Sequence, residues 1–234
     1  MVYDALVVGG GPAGSTCARV LKRAGWNVVV VDRAAFPRNK VCAGWVTPGV
    51  FDLLELDPAD YRAAGLTIQD IRGFRTTVMG SNPVDRTTPR LESTRDPGLT
   101  TIDTRYPRVV SYAIRRFEFD HFLLQRADVQ VRAGAALTAL ERRNGTWVAN
   151  GTISAPVVVG AGGHFCPVAR RLRGAHDRVR PVVAKEAEFE VETDDSDVAG
   201  DMPELFFCRD LEGYGWVVRK GAYLNIGQIG RAHV

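Results

Sequence analysis

Six residues near the start of the chain, Gly9-Gly10-Gly11-Pro12-Ala13-Gly14, restrict its fold more than any other stretch. They follow the apolar run Tyr3–Val8 and open a segment of helical periodicity, and the next apolar run, Asn27–Val31, ends on Asp32. A lone G-x-G-x-x-G is a weak signal. Strand, glycine turn, helix, strand and terminal acid in this order predict a βαβ unit that cradles a dinucleotide. In such a unit Gly9 makes the tight turn, Gly11 admits a pyrophosphate against the backbone, and Gly14 lets helix and strand pack closely. Pro12 and Ala13 fall in the first helical turn, whose free N–H groups and dipole favour an anion by roughly 0.3–2 kcal/mol. Asp32 stands where it accepts hydrogen bonds from ribose hydroxyls.

The rest of the composition bounds the partners. With 234 residues, 45% hydrophobic and 24% charged, the chain has material for one large core or two small ones. Thirty basic against 27 acidic residues give a net charge of +3, too even a mixture for nucleic acid. Arginine is concentrated around Arg105–Arg116 and Arg170–Arg180, which suits anionic ligands locally. No apolar run approaches the roughly 18 residues of a membrane span. The first strand begins at the N-terminus, leaving no room for a signal peptide, so a cytoplasmic protein is expected. Cys17, Cys42, Cys166 and Cys208 show no C-x-x-C spacing and His121, His164, His176 and His233 are scattered, so no metal is expected.

Along the chain, Ala13, Cys17, Val20, Leu21 and Ala24 form a helical stripe that Gly25 ends. Thr47-Pro48 predicts a cap and first turn for a helix over Gly49–Leu56, and Asp57-Pro58 repeats the signal. From Gly65 to Ser111 the pattern becomes short β-like pieces, including Phe74–Met79 and Pro107–Tyr112, an excursion from the nucleotide-binding layers. Helical spacing returns at Phe119, Phe122, Leu123 and Ala127. Short strands follow, with Asn144-Gly145 and Asn150-Gly151 as hairpin turns, and predict a three-stranded meander. Pro156–Val159 then runs into Gly160-Ala161-Gly162-Gly163 and a helix over His164–Arg173, which Gly174 ends. In Glu186–Glu192 the strict alternation sets Ala187, Phe189 and Val191 against Glu186, Glu188, Glu190 and Glu192, which predicts an antiparallel strand with its glutamates in water. Glu204–Cys208, Tyr214–Arg219 and Tyr223–Ile229 continue that sheet.

Four segments in combination carry a family resemblance: Lys40-Val41-Cys42-Ala43-Gly44-Trp45-Val46-Thr47-Pro48, Arg116-Phe117-Glu118-Phe119-Asp120, the run from Val159 to Arg170, and the run from Gly213 to Gly221. The chain resembles the geranylgeranyl reductase family of FAD-dependent oxidoreductases, within the aromatic-hydroxylase superfamily, over essentially its whole length. The resemblance implies an α/β fold in which a Rossmann-like FAD-binding domain (1–72 and 112–174) is interwoven with an antiparallel β-sheet substrate domain (73–111 and 175–234). It makes Gly9, Gly11, Pro12, Ala13, Gly14, Asp32 and Arg33 the ADP site and sets Arg116 near the FAD phosphates or ribityl chain. It lets Gly160, Gly162 and Gly163 pass close to the flavin, and brings Lys40, Cys42 and Ala43 near the isoalloxazine ring. Trp45, Tyr214 and Trp216 line an apolar substrate pocket in this reading.

The chain departs from the family at two places: Gly162 stands where many relatives have aspartate, and Val217-Val218 where Phe-Pro is usual. Residue type alone leaves alternatives open. Trp45, Tyr214 and Trp216 suit core packing equally well. Cys42 is a catalytic candidate only if exposed and ionised, and Arg116 has Glu118 or Asp120 as an alternative partner.

The implied function is reduction of an alkene or prenyl-like substrate by reduced FAD, with NAD(P)H as electron donor. Two alternatives are a flavin monooxygenase on the same fold, though the Trp-x-Trp-x-Ile-Pro segment of halogenases is absent, and a nucleotide-binding remnant without turnover. A third flavin motif expected further along is absent, so the chain reads as truncated, with an exposed sheet edge that invites self-association. A prenyl-lipid substrate would bring peripheral membrane contact.

Overall fold

The structure is a computed structural model and describes residues 1–79, 100–173, 182–192, 198–209 and 211–230. The chain begins β1 (Ala5–Val8), α1 (Pro12–Arg23), β2 (Val28–Val31), β3 (Trp45–Val46), α2 (Pro48–Leu53), α3 (Pro58–Ala63) and β4 (Ile68–Ile71). It continues with β5 (Gly73–Met79), β6 (Thr100–Arg105), β7 (Ser111–Ile114), α4 (Arg116–Arg126), β8 (Gln130–Arg132), β9 (Leu140–Arg143), β10 (Thr146–Ala149) and β11 (Ile153–Ala155). Last come β12 (Val157–Gly160), α5 (Pro167–Arg173), β13 (Val183–Glu190), β14 (Glu204–Cys208), β15 (Gly213–Lys220) and β16 (Tyr223–Gly230). Two compact units result, Met1–Lys40 with Arg116–Val179 and Val41–Arg115 with Arg180–Val234. The boundary expected at residue 72 falls at 40, because β3 and β4 pair antiparallel with β7 and not with the nucleotide-binding sheet. The other two boundaries fall at 115 and 179.

In the first unit four parallel strands lie in the order β12-β1-β2-β8. Leu6, Val8, Val29 and Val31 pack against Ala149, Ile153 and Ala155 of the meander, while Ala5, Val7, Val28 and Val30 pack against Ala18, Leu124 and Ala127 of the helical layer. Coverage on both faces is why β1 and β2 read as unbroken apolar runs. The meander β9-β10-β11 is antiparallel, and Asn144 and Gly145 at its first turn have φ of 48° and 81°, as a two-residue type I′ turn requires.

The packed stripe of α1 differs from expectation. Ala13, Val20 and Ala24 are exposed, whereas Gly14, Ser15 and Ala18 are buried and Cys17 and Leu21 half-covered. A Cβ on Gly14 would collide with the Gly9 carbonyl oxygen, and this close approach turns the small residues onto the sheet. Asp57 caps α3 by accepting the Ala59 N–H at 2.7 Å, but Thr47 makes no side-chain bond to α2.

The second unit holds a six-stranded sheet ordered β13-β16-β15-β14-β5-β6 and the three-stranded sheet β3-β7-β4. In the larger sheet β14 and β5 run parallel and the other pairs antiparallel. Its covered face carries Trp216, Val218, Lys220 and Asn225. Glu188 pairs with Asn225 in the ladder and so shares that face. This reverses the reading of β13: the Glu188 side chain is 14% exposed, whereas Phe189 on the opposite face is 45% exposed. On the covered face the Glu188 carboxylate meets two cations, Lys220 and Arg115. Gly174, His176 and His233 lie outside the described residues.

Candidate functional site

The parallel sheet of the first unit supplies a crevice by topology. From β1 the chain passes through α1 to β2 on one side, and β12 is added later on the other side. Loops therefore diverge at the carboxyl ends of β1 and β12, where open α/β sheets bind ligands. A cleft of about 210 Å³ lies at these strand ends, lined among others by Gly9, Asp32, Arg33, Gly162, Phe165 and Arg170.

Each side of the cleft follows from local sequence. Gly9 has φ +113°, and a Cβ there would strike the Ala161 carbonyl of the loop after β12. The Asp32 carboxylate, at the end of β2, accepts the Gly10 N–H at 2.7 Å and the Ala34 N–H at 2.8 Å. It thereby stiffens the glycine turn while each oxygen keeps a lone pair for a hydroxyl donor. Gly160 and Gly162 pass against Cys166, to whose sulfur a Cβ on Gly160 would come within 3.0 Å. Gly163 turns with φ +73°. Phe165, 67% exposed, offers an aromatic face beside Arg33 and Arg170. Neither Phe165 nor Arg170 was expected as a site residue, because each reaches the cleft only through the turn after β12.

The N-terminus of α1 is built for an anion. Gly11 is its N-cap, no side chain caps it, Pro12 occupies the first turn, and that turn holds no acidic residue. The Arg38 guanidinium lies 3.3 Å from where a Cβ on Gly11 would stand. Asp120, with no exposed side-chain surface, receives Arg38 at 2.7 Å and both Nε and Nη2 of Arg116, at 2.5 and 2.9 Å. Of the alternatives open for Arg116, the structure shows the pairing with Asp120. The Asp120 carboxylate stands beside the same turn, one oxygen 3.9 Å from where a Cβ on Gly11 would be, so it holds the Arg38 guanidinium there. This arrangement fits the pyrophosphate of a dinucleotide. Arg38 escaped the sequence reading because its partner lies 82 residues away.

In the second unit the Cys42–Gly44 loop is held at both ends. Gly44 has φ +62° and its carbonyl accepts the Ile114 N–H at 2.9 Å. The Cys42 carbonyl accepts Lys220 Nζ at 2.6 Å and Asn225 Nδ2 at 3.3 Å. Burial pushes the Lys220 ammonium below the ordinary lysine range, against the pull of Glu188. Trp216 is core, its indole N–H donating to Asn225 Oδ1 at 2.7 Å. Trp45 is half-buried with its ring 5.0 Å from Phe74, and joins Ala43 and Trp216 in one apolar cluster. Tyr214, 39% exposed, stacks on Phe207 at 5.4 Å. Lys40 is exposed and Cys42 half-buried. Among the described residues no group of His, Cys, Asp and Glu could hold a metal ion, and no helix is long and apolar enough to cross a membrane.

Comparison with known proteins adds context. The family model described as FAD dependent oxidoreductase matches residues 4–116. A menaquinone reductase of Mycobacterium tuberculosis is 29% identical over 241 residues, which is 96% of this chain and 54% of that protein. A geranylgeranyl bacteriochlorophyll reductase-like protein of Thermoplasma acidophilum superposes with a TM-score of 0.70 at 20% identity, over 98% of this chain and 56% of that one. The halogenase PltM, crystallised with FAD, superposes with a TM-score of 0.73 at 18% identity, over 98% and 52%. The chain thus spans about half the length of these relatives.

Proposed function

We propose that the first unit of this chain binds the ADP half of FAD and that the protein reduces an apolar substrate with a prenyl-like chain, a reading supported by the match of residues 4–116 to the model described as FAD dependent oxidoreductase and by the likeness to menaquinone reductase. The observation that carries the reading is the uncapped N-terminus of α1, beside which Arg38 is fixed on the buried Asp120, itself paired with Arg116. Those two arginines and the first-turn N–H groups hold the pyrophosphate; Asp32 takes the ribose, and Phe165 covers the adenine. When bound, FAD supplies the two-electron chemistry, with NAD(P)H as its reductant. The Cys42–Gly44 loop is assigned to the ring end of the cofactor, and Tyr214 on the aromatic strand to the apolar substrate.

Absorbance spectroscopy tests this. The purified chain is incubated with FAD and desalted. Flavin bands retained in stoichiometric amount, and bleached by NADPH or NADH, are the expected result. Reoxidation of the reduced protein by a prenylated quinone without oxygen supports substrate reduction. A strict need for oxygen would shift the assignment to hydroxylation, and a protein that stays colourless refutes cofactor binding by this chain.

A further inference from the structure

We propose that Lys220 is a positioning residue that holds the Cys42–Gly44 loop in one conformation through its bond to the Cys42 carbonyl. What the loop does rests on the flavin reading above; the anchoring itself does not.

An ammonium with no exposed surface needs partners for its protons, because an unpaired buried charge is strongly destabilising. Lys220 has two, Glu188 Oε2 at 2.7 Å and the Cys42 carbonyl at 2.6 Å. Glu188 neutralises the charge and is itself held from its other oxygen by Arg115 at 3.1 Å. The Arg115 guanidinium lies over the Tyr223 ring at 3.5 Å. The carbonyl partner belongs to a loop in which Ala43 packs on the apolar cluster around Trp216. Gly44 makes the room: a Cβ there would stand 2.9 Å from Lys220 Nζ. Asn225 is oriented for the same carbonyl, since its Oδ1 is taken by Trp216 and its Nδ2 is left to donate. With Ile114 holding the Gly44 carbonyl, both ends of the three-residue loop are fixed by donors from β7, β15 and β16. Charge-assisted bonds are the strong ones in this set, so removing Lys220 releases the loop more than removing Asn225.

Thiol chemistry reads the loop directly. Cys42 lies in it, whereas Cys166 is buried in the other unit and Cys17 and Cys208 serve as half-buried references. The full chain, without FAD, is alkylated with iodoacetamide under native conditions and each cysteine peptide is followed by mass spectrometry. Lys220→Met is expected to speed Cys42 about tenfold, with Cys17, Cys166 and Cys208 unchanged. Amide exchange over residues 41–46 should quicken in parallel. Lys220→Arg, which keeps a cation and donors, is expected to bring Cys42 back toward the parent rate. Where Lys220→Met does not fold, the paired variant Lys220→Met with Glu188→Gln removes both charges together, and the same selective acceleration is expected. An unchanged Cys42 rate, equal acceleration of all four thiols, or no rescue by arginine would overturn the proposal. FAD retention by the parent is scored separately, so a colourless parent refutes the cofactor reading while leaving the anchoring result intact.

Discussion

Asp120 and Arg116, one helical turn apart on α4, meet in a two-pronged ion pair in which the acid's side chain has no exposed surface and the arginine side chain is 19% exposed. The acid is spent entirely on aiming bases. Its second guanidinium, Arg38, comes from the loop after β2.

Removing Asp120 should therefore do two things at once. Asp120→Ala removes the buried carboxylate that Arg38 and Arg116 share, and a loss of about 3–5 kcal/mol in urea unfolding is expected. FAD affinity, followed by quenching of flavin fluorescence, should fall even in whatever fraction folds, since the guanidiniums lose their common anchor. Unaltered affinity would show that they do not face the phosphates.

Phe165 gives the opposite combination. It is 67% exposed, so Phe165→Ala should change stability by less than about 0.5 kcal/mol. The loss of its ring from the cleft should weaken FAD binding about threefold to tenfold. Competition by ADP measures the same step without the flavin ring.

Two glycines separate steric need from conformational freedom. Gly14→Ala drives a methyl into the Gly9 carbonyl and should cost about 1–3 kcal/mol together with flavin retention. At Gly49 the nearest atom to an added Cβ is 4.0 Å away, so Gly49→Ala should stabilise α2 by about 0.5 kcal/mol. Thermal melts of the two variants should move in opposite directions.

Much of this was legible beforehand, and the exceptions share a cause. The βαβ unit, the meander and the antiparallel strands are local patterns, so the glycine spacing at 9–14, the Asn-Gly turns and the alternation in β13 expressed them. Arg38, Phe165 and Lys220 matter through partners far away in sequence, and no periodicity encodes that. Glu188 shows the failure most clearly: alternation told which residues share a face, but not which face is covered, because two cations from other elements decide it.

Lys220 also predicts a pH dependence. Its folded-state pKa is lowered by burial, so between that value and the ordinary lysine value near 10.4 the unfolded chain binds more protons. Within that window the contribution of Lys220 to stability rises with pH; below it the cost of the buried ammonium is present in full. Urea unfolding of the parent minus that of the Lys220→Met, Glu188→Gln variant, followed from pH 8 upward, should show a positive slope. A flat difference would mean that the ammonium is as well accommodated inside as in water.

The bond from Lys220 to the Cys42 carbonyl spans 178 residues. During synthesis at about 5–20 residues per second, the loop is made on the order of ten seconds or more before its anchor leaves the ribosome. Until then the nascent chain carries that segment unclosed, and a pause or a slow codon between the two would lengthen the interval in which its cysteine meets the cell unguarded.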